Sequence, residues 1–203
     1  MRENEKKIGL NQSPRGRLVW DLKDKVLPIS FYTKVYIYVY ILTLILKLKS
    51  VEILQNIHER FIIHRDIRLS NLLKMDNGSP LLVDFGFATN TRNDVEYCGT
   101  LTTASNRIYE KLLDNGFYDT FSVTEADDLE SLVKVFVMEN EDCVKGIINS
   151  IKSKKVRLLK TNWDWLKKKY NNYSKLFQLA SNKNYEELKK EFLIVDQIKK
   201  SNK

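Results

Sequence analysis

Three polar side chains stand at short intervals near the middle of the chain, and their types suit metal binding or work on a hydroxyl group. Asn71 follows Asp66 by five residues, and Asp84 follows Asn71 by thirteen. Carboxylate and amide oxygens are the hard ligands that Mg²⁺ prefers, and a carboxylate can orient an attacking hydroxyl. The plain alternative is that all three are solvated loop residues that cap turns.

The segments around these residues predict a local frame that would bring them together. Residues 71–75 and 80–83 have the pattern of short strands, and Asp76-Asn77-Gly78 between them predicts a hairpin turn, because Asn and Gly tolerate positive φ. The run Phe61-Ile62-Ile63 before Asp66 is also strand-like. A hairpin between Asn71 and Asp84 would place the two side chains close to each other.

Helical periodicity dominates the rest of the chain. From Ile41 to His58 the apolar residues recur at three- and four-residue steps, which predicts a core helix. Further helices are expected from Thr124 onward, over residues 129–136, 144–151, 163–179 and 185–198. The sequence therefore predicts an α+β fold, mostly helical, with a short β-hairpin between the two polar motifs.

The first forty residues have weaker patterns. Residues 1–16 are charged and contain helix breakers, which predicts a flexible arm. Two short apolar runs, residues 17–20 and 26–32, are compatible with a marginal hairpin. Residues 35–40 alternate β-branched and aromatic side chains, as a strand does.

Composition narrows the class of protein. With 203 residues and 43% apolar side chains, one globular domain is expected. The net charge of +8 favours polyanions, but the lysines are spread along the chain, and the cluster from Lys152 to Lys160 lacks the aromatic interleaving of a nucleic-acid motif. We therefore do not expect a nucleic-acid partner. Cys98 and Cys143 are too few for a disulfide framework or a zinc site.

The sequence also predicts where the protein resides. The polar N-terminus lacks the apolar core of a signal peptide, so an intracellular location, cytoplasmic or nuclear, is expected. The segment from Phe31 to Leu46 is apolar but sixteen residues long, and a membrane span needs about 20. We expect it to be buried in protein, with no membrane partner.

The run Ile63-His64-Arg65-Asp66-Ile67-Arg68-Leu69-Ser70-Asn71 resembles the catalytic loop of protein kinases, and Asp84-Phe85-Gly86 resembles their metal-binding loop. A lone His-Arg-Asp would be weak evidence. The order, the spacing and the hairpin between the motifs make the joint match specific. The resemblance covers residues 41–198 and implies the C-lobe of a protein-kinase fold.

The resemblance implies ATP- and Mg²⁺-dependent phosphoryl transfer to Ser or Thr hydroxyls of protein substrates. Asp66 would orient the attacking hydroxyl, and Asn71 and Asp84 would bind Mg²⁺. Arg68 stands where most Ser/Thr kinases carry a phosphate-contacting Lys, and its guanidinium can fork onto phosphate oxygens.

Further roles follow from the same resemblance. Thr100, in Cys98-Gly99-Thr100, would hydrogen-bond Asp66, and Leu73 would form the floor of an adenine site. His64 and Phe85 are expected to stack as structural core. Glu96 or Asp94 would pair with Arg65 in place of an activating phosphate, or form an exposed acidic loop.

The segment after Thr100 is similar to the casein kinase one group. Residues 104–107, 127–132 and 183–192 carry this similarity, whereas Asp66-Ile67-Arg68 resembles some tyrosine kinases, so Ser/Thr specificity is favoured. Asp128 matches a buried Asp that braces the catalytic-loop backbone, or it caps a helix. Arg107 replaces the usual Glu, so the family's ion pair at this place cannot form as such.

The N-lobe is not recognisable in the sequence. No Gly-x-Gly-x-x-Gly loop and no Val-Ala-x-Lys strand precede Ile41. We expect residues 17–40 to be an N-lobe remnant or non-native sequence and residues 41–203 to form the C-lobe. The alternatives are a pseudokinase, a truncated interaction module that retains the motifs, and a mis-predicted gene product in which residues 31–46 replace N-lobe sequence.

Overall fold

The computed structural model describes the backbone of residues 29–76, 79–90, 94–151 and 155–201, with side chains for all of these except residues 29–43 and 199–201. The chain divides into two compact units, Met1–Val39 and Tyr40–Lys203. Of the first unit, the structure describes the helical backbone of residues 29–39. The polar motifs belong to the second unit.

The described elements are mostly helices. The helices are α1 (Ile29–His58), α2 (Asn106–Asp114), α3 (Glu125–Asn140), α4 (Asp142–Ser150), α5 (Val156–Lys169), α6 (Asn171–Ser181) and α7 (Tyr185–Ser201). The strands are β1 (Ile62–Ile63), β2 (Leu72–Lys74), β3 (Pro80–Leu82), β4 (Thr89–Asn90), β5 (Asp94–Glu96) and β6 (Thr120–Ser122). Single 3₁₀ turns cover Leu69–Asn71 and Phe85–Phe87.

The six strands pair as three short antiparallel ladders, β1 with β4, β2 with β3, and β5 with β6. In the middle ladder Leu73 lies opposite Leu81, which confirms the predicted hairpin between the two motifs. The turn residues Asn77-Gly78 lie outside the described residues. The ladder of β1 and β4 brings the start of the first motif to the end of the second, since Ile63 pairs with Thr89.

Helix α3 forms the centre of the core. Its residues Leu129, Leu132 and Val133 are completely buried, and α6 packs along it. Its first turn is acidic, which suits the positive end of the helix dipole. The acidic start of a buried helix therefore lies in the protein interior.

A buried ion pair links the two ends of the second unit. Lys47 of α1 and Asp196 of α7 approach to 2.6 Å, and both side chains are almost fully buried. Removing one partner of such a pair would leave an uncompensated charge in the core. The pair therefore ties α1 to α7.

The predicted helix from Ile41 to His58 is confirmed, but α1 already begins at Ile29. The strand predicted over residues 35–40 is therefore wrong, as is any strand over residues 29–32. β-Propensity is a weak preference, and each residue added to an existing helix gains a backbone hydrogen bond. The predictions for residues 1–28 lie outside the described residues.

The single helix predicted over residues 163–179 is wrong, because α5 ends at Lys169 and α6 begins at Asn171. Tyr170 between them has φ −109° and ψ 73°, which are not helical angles. Its backbone N–H still bonds to Leu166, so the last turn of α5 is closed. The other predicted helices from Thr124 onward are confirmed, and so is the mostly helical α+β class.

Within the described residues, no helix combines the length and the apolar character that crossing a membrane requires.

Candidate active site

The backbone of the first motif is held by one buried carboxylate. His64 N–H donates to Oδ2 of Asp128 at 2.7 Å, and Arg65 N–H donates to Oδ1 at 2.8 Å. Asp128 lies in the first turn of α3 and is 1% exposed. The predicted bracing role of Asp128 is confirmed. The residue that closes the N-terminus of α3 in a capping box is its neighbour Asp127.

Asp128 also receives a hydrogen bond from α1. Nε2 of His58 lies 3.1 Å from Oδ2 of Asp128, and Nδ1 lies 2.8 Å from the Tyr185 hydroxyl. Because a carboxylate accepts, Nε2 carries the hydrogen and Nδ1 accepts from Tyr185. Burial raises the pKa of Tyr185 above its ordinary value, which keeps the hydroxyl protonated as a donor. Three helices therefore position the catalytic loop.

The imidazole of His64 joins the two motifs. Its Nε2 lies 3.1 Å from the Val83 carbonyl, next to Asp84, and its Nδ1 lies 3.3 Å from the Asp66 backbone nitrogen. Nε2 is therefore the donor and Nδ1 the acceptor. The Phe85 ring packs edge-on against this imidazole, with 4.7 Å between the centroids. The predicted stacking and the core position of His64 are confirmed, but Phe85 is 44% exposed, so its predicted core position is wrong.

The carboxylate of Asp66 is buried, and only one of its oxygens is bonded. Asn71 Nδ2 donates to Oδ2 at 3.1 Å and to the Asp66 carbonyl at 2.9 Å, and Arg68 Nε lies 3.1 Å from Oδ2. The other oxygen, Oδ1, is buried and has no hydrogen-bond partner among the described residues. The loop therefore holds a fixed carboxylate with one buried, unbonded acceptor.

The hairpin places Asn71 beside the second motif, as expected. Val83 N–H donates to the Asn71 carbonyl at 3.0 Å, so the residue before Asp84 is bonded to Asn71. Arg68 connects the side chains, since its Nε donates to Asn71 Oδ1 at 3.3 Å and Nη2 lies 3.8 Å from Asp84 Oδ2. One cationic group thus already lies among the oxygens of Asp66, Asn71 and Asp84.

This set of oxygens fits Mg²⁺ by its chemistry. Mg²⁺ is usually bound by one or two carboxylates together with substrate phosphates, rather than by a complete protein cage. No group of three or more His, Cys, Asp or Glu side chains suited to a metal occurs among the described residues. Asn71 and the half-exposed Asp84 are therefore side chains that could hold Mg²⁺ only together with further ligands from a substrate.

Two motif residues adopt the left-handed backbone conformation. Arg65 has φ 72° and Asp84 has φ 67°. Such angles cost non-glycine residues about 1–3 kcal/mol and persist where the surrounding structure enforces them. Here the bonds to Asp128 and the packing of the His64 ring supply that restraint.

The Arg65 side chain bonds to main-chain carbonyls. Its guanidinium donates to the carbonyl of Phe87 at 3.1 Å and to that of Glu96. No ion pair joins it to the carboxylate of Glu96 or Asp94 in the described part of the chain, so the predicted carboxylate pairing is wrong. The strand geometry explains this result, because Asp94 and Glu96 point outward from β5 while Val95 packs against the core.

Gly99 packs directly against the catalytic loop. It has φ 129°, and a Cβ atom at this position would lie 2.3 Å from the Arg65 carbonyl oxygen. Only glycine allows this approach. The contact fixes the segment from Cys98 to Thr100 against the loop that carries Asp66.

Thr100 does not hydrogen-bond Asp66 in the described structure, so its bracing role stays a prediction. Its carbonyl accepts from the Thr103 hydroxyl at 3.4 Å. That hydroxyl lies closer, 3.0 Å, to the carbonyl of Ile67. Thr103, which sequence reasoning missed, is therefore the threonine that contacts the catalytic loop. Its signal in the sequence is weak, since three of the four residues from 100 to 103 are threonines.

Arg107 has an acidic partner. Its guanidinium donates to both oxygens of Asp127, with Nε to Oδ1 at 3.1 Å, and to the Ser122 carbonyl at 2.9 Å. Oδ1 also accepts from the hydroxyl of Ser105, the residue that caps the N-terminus of α2. The ion pair that the family usually has at this place is thus replaced by the ion pair between Arg107 of α2 and Asp127 of α3. Sequence analysis did not identify Asp127 as the partner.

Lys134 is a second residue that sequence reasoning missed. It is completely buried, and its Nζ lies 2.5 Å from the Ala104 carbonyl, 2.9 Å from Asn106 Oδ1 and 3.3 Å from Glu130 Oε1. The rings that flank it are those of Tyr109 and Trp163. Burial lowers the pKa of the Lys134 amine to about 7. The sequence feature that could have revealed this residue is a lysine within the apolar run of α3.

Leu73, the predicted floor of an adenine site, lies on β2 and is 47% exposed. Its partner across the ladder, Leu81, is 44% exposed. Opposite residues of an antiparallel pair share one face. The hairpin therefore presents an apolar face to solvent, and the role of Leu73 in nucleotide binding stays a prediction.

Comparisons with known proteins agree with the motifs. Residues 46–124 match the sequence model of the protein kinase domain. A probable serine/threonine-protein kinase of Dictyostelium discoideum is 48% identical over 198 residues, which cover 97% of this chain and 29% of that protein. The chain thus spans less than a third of the length of this curated relative.

Among solved structures, the chain is similar to the kinase PK-1 of Cydia pomonella granulovirus. The TM-score is 0.38 and the sequences are 19% identical, over 48% of this chain and 34% of the viral protein. A structural similarity with so low a TM-score supports no further conclusion. The similarity to the casein kinase one group, which the sequence suggested, stays a prediction. On the kinase-domain match and the similarity to a serine/threonine-kinase relative, residues 46–124 of this chain belong to the protein kinase family, within the fold of a kinase-like C-lobe.

Proposed function

We propose that this chain takes part in ATP- and Mg²⁺-dependent phosphoryl transfer to Ser or Thr hydroxyls of protein substrates. The observation that carries the proposal is the unbonded acceptor of Asp66. Asn71 and Arg68 hold Oδ2, while Oδ1 is buried without a donor among the described residues. A buried acceptor left unsatisfied costs about 1–3 kcal/mol, and the hydroxyl of a substrate would satisfy it.

Asp66 would orient that hydroxyl and accept its proton at Oδ1 as the hydroxyl oxygen bonds to the γ-phosphorus of ATP, while the bond from that phosphorus to the β-phosphate oxygen breaks and ADP leaves. The hydrogen bonds from Asn71 fix the direction of the carboxylate, so the acceptor does not need to reorganise during the reaction. Because Oδ1 is buried, neighbouring side chains must move for a substrate hydroxyl to reach it.

Asn71 and Asp84 would hold Mg²⁺, which when bound neutralises the charge of the nucleotide phosphates. Arg68 would contact the transferred phosphate, since a guanidinium forks onto phosphate oxygens as readily as onto the carboxylates it contacts here. Leu73 would supply apolar contact for the adenine. Each of these roles extends the family's known chemistry to this chain.

Phosphate transfer from labelled ATP to dephosphorylated casein, in the presence of Mg²⁺, tests the proposal. We expect transfer by the wild-type chain and a loss of about a hundredfold or more in Asp66→Asn, which cannot accept the proton. Asp94→Asn, at an exposed position on β5, is the matched control and should keep full activity. Equal activity of Asp66→Asn and wild type would contradict the assigned role.

The second candidate function is a non-catalytic interaction module that retains the motifs. The position of Arg68 favours it, because this side chain contacts Asp66, Asn71 and Asp84 at once and already offsets part of the charge of the two carboxylates. In that case the wild-type chain would transfer no phosphate, and Mg²⁺ and ATP together would not raise its melting temperature.

A further inference from the structure

A groove with an apolar floor and a basic rim lies between α2 and the start of α5. Its volume is about 610 Å³, and none of its lining residues belongs to the site around Asp66. Leu112, Leu113 and Phe117 line one side, and Lys155, Arg157 and Leu158 line the other. This volume lies in the range of pockets that bind small molecules or anchor side chains of peptides.

The floor of the groove is apolar and accessible. Leu113 is 40% exposed and Leu158 is 43% exposed, and Phe117 lies between the end of α2 and β6. Half-exposed leucines that face one concave surface are typical of interaction sites rather than of a solvated helix face. An apolar anchor placed here would bury area that water now covers.

The two helices that form the groove are fixed to each other. Asn106 at the start of α2 donates to Asp164 of α5 at 2.5 Å, and Lys160 of α5 lies 3.3 Å from Glu110 of α2. The groove therefore exists before anything binds, which lowers the entropic cost of binding.

The rim supplies positive charge that is not neutralised. Lys160 pairs with both Glu110 and Asp164, whereas Lys155 and Arg157 are exposed and form no ion pair within the described residues. Two unpaired cations beside an apolar floor are complementary to carboxylates that flank an apolar side chain.

We propose that this groove binds an acidic peptide segment of a partner protein. A large aliphatic or aromatic side chain would occupy the floor at Leu113 and Leu158, and flanking Asp or Glu carboxylates would pair with Lys155 and Arg157. A nucleic acid is the weaker match, because phosphate-backbone binding relies on many cations, and among the described residues two unpaired cations border an apolar surface. The proposal does not depend on catalysis.

Fluorescence anisotropy of short labelled peptides, measured without nucleotide, tests the proposal. The probes are peptides with one Leu or Phe among Glu residues at varied spacing, and the same peptides with Lys in place of Glu. We expect the Glu series to contain a binder that Arg157→Glu weakens by about tenfold or more, and that Leu158→Ser also weakens. Lys168→Glu and Ile194→Ser, at exposed positions outside the groove, are the matched controls and should bind normally.

Three outcomes would overturn the proposal. The first is the absence of any binder in the Glu series at millimolar concentration. The second is equal weakening by Arg157→Glu and Lys168→Glu, which would indicate attraction by overall charge. The third is a single-stranded oligonucleotide that binds more tightly than the peptides and depends on Arg157, which would assign the groove to nucleic acid. Circular dichroism of each variant separates loss of binding from loss of folding.

Discussion

The Asn71 amide bonds both to the carbonyl of Asp66, at 2.9 Å, and to its carboxylate oxygen Oδ2, at 3.1 Å. One side chain therefore fixes the backbone and the side chain of the same residue five positions earlier. Since Oδ2 is occupied in this way, the unbonded oxygen Oδ1 has a defined direction. Asn71 and Asp66 together would therefore set the position of a reacting hydroxyl.

Asn71→Ala should lower phosphate transfer by about a hundredfold, because a displacement of about 1 Å in a catalytic group has effects of that size. It also removes a ligand proposed for Mg²⁺. Asn56→Ala, at an exposed position on α1, is the matched control and should have normal activity. A phosphate-transfer assay that shows full activity in Asn71→Ala would contradict the positioning role.

Asp128→Ala should destabilise the fold by about 3–5 kcal/mol, because it leaves two buried backbone donors, those of His64 and Arg65, without an acceptor. Asp128→Asn keeps one acceptor oxygen and should cost less. Urea denaturation measures both free energies of unfolding. Asp119→Ala, an exposed control, should change the free energy little. A cost below about 1 kcal/mol for Asp128→Ala would be inconsistent with the bonds described.

A double-mutant cycle between Arg107 and Asp127 should give a coupling energy of about 1 kcal/mol, since the pair is bidentate but the Arg107 side chain is one-third exposed. Asp127→Ala alone should cost more than Arg107→Ala, because Asp127 also accepts from Ser105 and from the Thr124 backbone. Additive effects of the two substitutions would show that the pair contributes no stability.

The free energy of unfolding should rise with pH between about pH 7 and pH 10. Burial lowers the pKa of the Lys134 amine from 10.5 to about 7, so over this interval the unfolded chain holds a proton that the folded chain has lost. The slope contributed by one such proton is at most about 1.4 kcal/mol per pH unit. Below pH 7 both states hold the proton, and this contribution to the slope disappears.

Lys134→Met should remove this contribution and flatten the profile, while Lys168→Met, at an exposed position, should not. Urea denaturation at a series of pH values measures the difference. Parallel profiles for wild type and Lys134→Met would show that the folded protein keeps the amine at its ordinary pKa.

The polar motifs were predictable from the sequence because their chemistry is local. The hairpin between Asn71 and Asp84 needs a turn signal and two short apolar runs, all within fifteen residues, and its register is confirmed. The core part of α1 was predictable because its apolar periodicity is sustained over five turns. The roles of His64 and Asp128 followed from the resemblance of their motifs.

The features that sequence reasoning missed depend on non-local contacts. Arg107 meets Asp127 across twenty residues, and β5 pairs with β6 across twenty-four, so neither shows in a local pattern. The break at Tyr170 was hidden because apolar residues continue at helical spacing through it. Lys134 was missed because two of the oxygens around its amine, those of Ala104 and Asn106, come from 30 and 28 residues earlier, while Glu130 lies one helical turn away.

The most direct test of the proposed function is the melting temperature of the chain with ATP, measured with and without Mg²⁺. We predict that ATP and Mg²⁺ together raise the melting temperature, that either one alone raises it less, and that Asp84→Asn abolishes the combined effect while Asp94→Asn retains it. The absence of any shift at millimolar nucleotide, or an equal shift in Asp84→Asn, would contradict the assignment of Asn71 and Asp84 as a nucleotide-dependent magnesium site.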